Sequence, residues 1–251
     1  MVRFVLLAFG ITWVAVSPLV LSAWGVLPPL PGWLHGLGAL GPVLAAWLSE
    51  RDRGVFEAAG PSALSPGWVG VCLTTPLLFA GIALAVVAVR GQAIAGPLDR
   101  SFADPAWVVS LAVGSVLYGI GEEPGWRGWL QPRLQSRFSP LKATLILTAI
   151  WALWHAPFFA YRFDFEGVGT VLGFFTGLLA GAFWLAFLFN STASVKVVAA
   201  WHVLWNVANL SLAPVSGLAV AILNALMMVL GFGVAVVFSR RGLRYGGSVP
   251  V

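Results

Sequence analysis

Apolar residues run along this chain in long blocks separated by short polar breaks. Eight blocks approach the roughly 20 apolar residues that an α-helix needs to cross a bilayer: residues 3–24, 34–49, 68–89, 106–123, 141–161, 170–190, 195–212 and 217–239. The second is short, with Pro42 inside it and Glu50 at its end. The first opens on Met1-Val2-Arg3 like a secretory signal, but its apolar stretch exceeds the core of such a signal, so it is read as a span. The pattern predicts an all-α, polytopic membrane helix bundle with about eight transmembrane helices. The intervening segments 50–67 and 90–105 carry turn chemistry at Gly60-Pro61, Ser65-Pro66-Gly67 and Gly96-Pro97. No hydrophilic stretch is long enough for a second domain, so the chain reads as one unit over 1–251.

Charge sharpens this picture. Charged residues make up 9% of the chain, against roughly 25% in ordinary soluble domains, which excludes a soluble globular or disordered protein. With the N-terminus placed in the cytoplasm, the cytoplasmic side holds Arg3, Arg51, Arg53, Arg127, Arg133, Arg137, Lys142, Lys196, Arg240, Arg241 and Arg244, and the other side only Arg90, Arg100 and Arg162. This positive-inside bias predicts that both termini are cytoplasmic. The net charge of +5 therefore reflects topology and membrane contact, not nucleic-acid binding. Arginine far outnumbers lysine in an Ala-, Gly- and Val-rich chain, the codon bias of a GC-rich prokaryotic genome, so the expected location is a prokaryotic cell membrane. Cys72 is alone, which excludes an internal disulfide.

Small residues recur every fourth position at Gly173, Gly177 and Gly181, a spacing that lets a neighbouring helix approach closely. Segment 126–140 (WRGWLQPRLQSRFSP) mixes aromatic, apolar and basic residues and is expected to lie at the cytoplasmic interface against anionic headgroups.

Ionisable residues inside spans are costly and mark function. Glu122 and Glu123 close the fourth block, followed by Pro124 and Arg127. If the helix continues, Glu123 and Arg127 stand at i and i+4 and pair on one face, while Glu122 points about 100° away. The alternative is a solvated carboxylate pair at the membrane edge. His155 follows Trp151 in the fifth block, and His202 and Asn206 share one face of the seventh at i, i+4. Asn209 is one further turn along, and His35 has no polar sequence neighbour and receives no role. A carboxylate can take a proton from water and return it to a leaving amine, and histidine and asparagine can donate to an oxyanion. The same Glu122, His155 and His202 are also donors suited to a divalent metal such as zinc. The chain has no His-Glu-x-x-His, Gly-x-Ser-x-Gly or phosphate-loop motif.

Three ordered elements resemble the CPBP family of intramembrane proteases (CAAX proteases and bacteriocin-processing enzymes, also called Abi). Glu122-Glu123 with Arg127 matches its Glu-Glu-x-x-x-Arg element. Trp151 with His155 stands for Phe-x-x-x-His, with Trp in place of the usual Phe. His202 with Asn206 matches His-x-x-x-Asn in full. The motif core lies within 106–212. The resemblance implies an intramembrane endopeptidase acting on membrane-associated or CAAX-like protein or peptide substrates, lipidated in some members. It implies that Glu122 and His155 activate water, that His202 and Asn206 stabilise the oxyanion, and that Glu123 and Arg127 support the site. Both metal-dependent and glutamate-based mechanisms have been argued for the family.

Two readings of other classes compete: a non-catalytic immunity or scaffold protein of the membrane, and a proton-coupled transporter with the carboxylates as a relay. The depth of the site raises a further question. His155 stands 13 residues beyond Lys142, roughly 20 Å along a helix, whereas Glu122 falls at the end of its block.

Overall fold

The computed structural model describes residues 1–49, 65–92, 94, 103–163 and 167–241. Among these the regular structure is entirely helical: α1 (Val2–Ala23), α2 (Leu40–Ser49), α3 (Pro66–Val89), α4 (Pro105–Glu123), α5 (Gln131–Gln135), α6 (Pro140–Trp154), α7 (Val168–Thr192), α8 (Val195–Leu212) and α9 (Gly217–Arg241), with 3-10 segments at Gly32–Ala39 and Ala156–Ala160 and a π-helical segment at Pro124–Leu130. The protein is an integral, multi-pass membrane protein. Five helical stretches of the described residues are long and apolar enough to cross a bilayer: Val2–Ala23, Pro66–Val89, Pro105–Gln135, Val168–Thr192 and Gly217–Arg240. Their outward faces carry exposed Val, Leu, Ile and Trp such as Leu6, Val14, Leu78 and Val229, the surface expected where lipid replaces water.

Local chemistry sets the helix starts. Ser65, Asp104, Ser139 and Ser194 each accept a hydrogen bond from a backbone N–H in the first turn of α3, α4, α6 and α8. In the first three a proline follows at once, where its missing N–H is harmless. Ser65-Pro66-Gly67, expected to be a turn, is thus the capped start of α3. The turn residues expected at Gly60-Pro61 and Gly96-Pro97 lie outside the described residues, as do Arg51, Arg53, Arg100 and Arg244.

Two blocks differ from the sequence expectation in length. Block 34–49 divides into a 3-10 segment and the ten-residue α2, because the three glycines Gly32, Gly36 and Gly38 precede Pro42. Block 141–161 stops being α-helical at Trp154, since Pro157 has no N–H to continue the ladder, and His155 caps the helix rather than lying within it.

The larger correction concerns α4. The helical path does not stop where α4 ends at Glu123 but runs on through the π-helical segment into α5, a single 31-residue stretch from Pro105 to Gln135. Segment 126–140 is therefore not a peripheral interfacial strip. Trp126, Arg127, Trp129, Leu130, Gln131, Leu134 and Gln135 are buried in the protein. Gln131 and Gln135 both donate to Asn190 Oδ1, at 3.0 and 3.1 Å, tying this stretch to α7. Its exposed residues lie at the far end, at Ser136, Arg137 and Ser139.

Close approach of helices depends on glycines of α4 and its continuation. A Cβ at Gly119 would meet the Ala199 carbonyl and Val203 of α8, one at Gly121 the backbone of Ala39, and one at Gly125 the backbone of Pro42. Small residues here let backbones touch and bring the Glu122-Glu123 turn against α8. The expected Gly173, Gly177 and Gly181 stripe does something else. A Cβ at Gly173 or Gly181 would meet nothing within 4 Å, and all three residues line a cavity.

Candidate active site

The two carboxylates sit mid-helix, and both are buried, Glu122 at 1% and Glu123 at 0% exposure; the reading of a solvated pair at the membrane edge is overturned. Continuation of α4 also removes the depth mismatch. Glu122 lies 13 residues before the end of the stretch at Gln135, about 20 Å at 1.5 Å per residue, which matches the distance of His155 from the start of α6.

Adjacent positions on a helix point in different directions, and the two glutamates take different partners. Glu123 Oε1 accepts from Arg127 Nη1 at 3.1 Å, the i, i+4 pair expected from sequence, and lies 2.6 Å from Nδ1 of His202 on α8. Glu122 Oε2 accepts two indole N–H bonds, from Trp126 at 2.9 Å and from Trp151 at 2.6 Å. The guanidinium carbon of Arg127 stands 4.8 Å from the centre of the Trp151 ring. Glu123, Arg127 and His202 form a buried cluster across two helices, in which Glu123 Oε2 and Arg127 Nε and Nη2 have no hydrogen-bond partner, so burial of the charges is only partly offset by their contacts.

His155 Nδ1 is 2.7 Å from the Trp151 carbonyl oxygen. A carbonyl only accepts, so Nδ1 carries the proton and Nε2 of the neutral ring offers a lone pair. Glu122, His155, His202 and Asn206 all line one cavity of about 530 Å³, together with Asn209, Trp151 and the glycine face of α7; Glu123 and Arg127 do not line it. The sequence-derived residues thus divide into four at the cavity and two behind it.

His35, which has no polar neighbour in sequence, has two in the fold. Its Nδ1 lies 2.7 Å from Tyr161 Oη and its Nε2 2.7 Å from Tyr118 Oη, and both His35 and Tyr118 line the same cavity. Tyr118 is one turn before Glu122 on α4, the one signal in the sequence that could have pointed to it. The indole donors leave a similar trace in the sequence: Trp126 is at i+4 from Glu122 and Trp151 occupies a motif position.

Among the described residues no three His, Cys, Asp or Glu side chains are grouped to hold an ion.

Residues 104–208 match the model of the family described as Type II CAAX prenyl endopeptidase Rce1-like. A curated relative, CAAX prenyl protease 2 of Methanococcus maripaludis, is 36% identical over 64 residues, which cover 23% of this chain and 24% of that protein. The matched stretch thus spans about a quarter of that relative's length. Both matches bear out the resemblance to the CPBP family carried by the three motifs.

Proposed function

From a chain whose residues 104–208 match the Rce1-like family of CAAX prenyl endopeptidases, we propose an intramembrane endopeptidase that hydrolyses C-terminal peptide bonds of membrane-associated, CAAX-like substrates. The observation that carries this reading is the separation of the carboxylates: Glu122 lines the cavity with its Oε2 held by two indoles, while Glu123 is engaged by Arg127 and His202 behind it.

In this reading a water lies between Glu122 and His155 Nε2. Glu122 takes its proton as the water oxygen attacks the scissile carbonyl carbon, and the carbonyl π electrons move onto oxygen. His202 and Asn206 donate to that oxyanion. When it collapses, the C–N bond breaks and Glu122 returns the proton to the departing amine. His202 Nδ1 and Glu123 Oε1, 2.6 Å apart, share one proton, which leaves the Nε2–H of His202 to face the oxyanion. Arg127 and Glu123 act by holding His202. The family match supports a protein or peptide substrate, and the lipid chain of such a substrate would remain in the bilayer. Replacing Glu122 by Gln, His155 by Ala or His202 by Ala is expected to abolish cleavage of a farnesylated CAAX peptide while the protein still inserts. Full activity of Glu122→Gln would overturn the assignment.

A further inference from the structure

We propose that Trp151 is a positioning residue of this site, its indole N–H orienting Glu122 and its backbone carbonyl orienting His155. The inference rests on the peptidase reading of Glu122 and deepens it. The family pattern has Phe at this position, and Phe would fill the ring space with no donor. Here the indole donates to Glu122 Oε2 at 2.6 Å, a short bond of the charge-assisted kind.

Trp126 reaches the same oxygen at 2.9 Å. Both donors converge on Oε2, and no donor among the described residues bonds Oε1. The carboxylate is thereby anchored by one oxygen, and the other is left for the proton it must take. A base fixed in orientation before the substrate arrives needs no rearrangement during the reaction.

Trp151 also sets what surrounds Glu122. Its carbonyl accepts the His155 Nδ1 proton, which turns the lone pair of Nε2 outward. Its ring meets that of His202 edge to face, with centroids 6.1 Å apart, and stands beneath the Arg127 guanidinium. One side chain, 5% exposed, therefore touches both carboxylate systems and both histidines. Partnering of indole N–H groups is not general in this chain, since Trp129 and Trp184 bury theirs with no acceptor. Trp126 and Trp151 instead place theirs on a carboxylate.

The test uses the full-length protein in lipid vesicles and a farnesylated CAAX peptide. Trp151→Phe keeps the ring and removes only the donor. Its kcat is expected to fall roughly tenfold to a hundredfold, with KM changed less than about twofold and the thermal midpoint retained. Trp126→Phe, which removes the other donor to Oε2, is expected to lower kcat in the same way. Trp184→Phe, which removes an N–H without an acceptor, is expected to leave kcat unchanged. Wild-type kcat in Trp151→Phe, beside an inactive Glu122→Gln, would overturn the positioning role and leave the peptidase reading intact. A raised KM with unchanged kcat would also overturn it, since Trp151 would then be a substrate contact. An inactive wild type, or a fully active Glu122→Gln, would instead remove the reading on which the inference rests.

Discussion

His202 Nδ1 lies 2.6 Å from Oε1 of Glu123, the carboxylate that does not line the cavity. This contact joins α8 to α4 and engages Glu123, while Glu122 lines the cavity.

The division predicts opposite outcomes for two equivalent substitutions. Glu123→Gln leaves Arg127 buried without its counter-ion, a change that costs about 3–5 kcal/mol. The thermal midpoint in detergent is expected to fall sharply, and adding Arg127→Met is expected to restore part of it. Glu122→Gln keeps an oxygen for both indoles, so its stability should change by about 1 kcal/mol or less, while its activity drops by about 10³-fold. Equal destabilisation by the two variants would contradict the separation.

Glycines offer a second contrast. Gly121→Ala forces a Cβ onto the Ala39 backbone, and Gly125→Ala onto that of Pro42. Each should destabilise by about 1–3 kcal/mol, measured as a lowered unfolding midpoint. Gly173→Leu adds bulk where nothing stands within 4 Å and where the residue lines the cavity. That variant is expected to remain folded and to raise KM for the peptide severalfold.

The donor arrangement bears on metal dependence. Three ligands are not grouped among the described residues, and the proposed chemistry uses only protein side chains and water. Cleavage is therefore expected to persist after dialysis against chelator, with substoichiometric metal by elemental analysis. Activity lost with the metal and regained with zinc alone would establish the metal-dependent mechanism instead.

Much of this was legible in the sequence, and the failures share a cause. The long apolar blocks gave the helices, and i, i+4 spacing gave both the Glu123–Arg127 pair and the shared face of His202 and Asn206. The extension of α4 was missed because Pro124, Gly125 and Arg127 read as the end of an apolar run. In the fold, Pro124 opens a π-helical turn, and Arg127 is neutralised by a residue one turn away. A hydropathy pattern scores each residue by itself and cannot see that cancellation. The partners of His35 lie 83 and 126 residues distant, so nothing local could reveal them. Spacing on α7 showed that Gly173, Gly177 and Gly181 share a face, but not whether that face meets a helix or a cavity.

A farnesylated CAAX peptide incubated in H2 18O with the protein in lipid vesicles tests the central claim most directly, the products being read by mass spectrometry. Wild type is expected to release the C-terminal fragment and leave one 18O in the newly formed carboxyl group, and Glu122→Gln is expected to release none. No cleavage by wild type, as a scaffold or a transporter would show, or equal cleavage by Glu122→Gln, would contradict it.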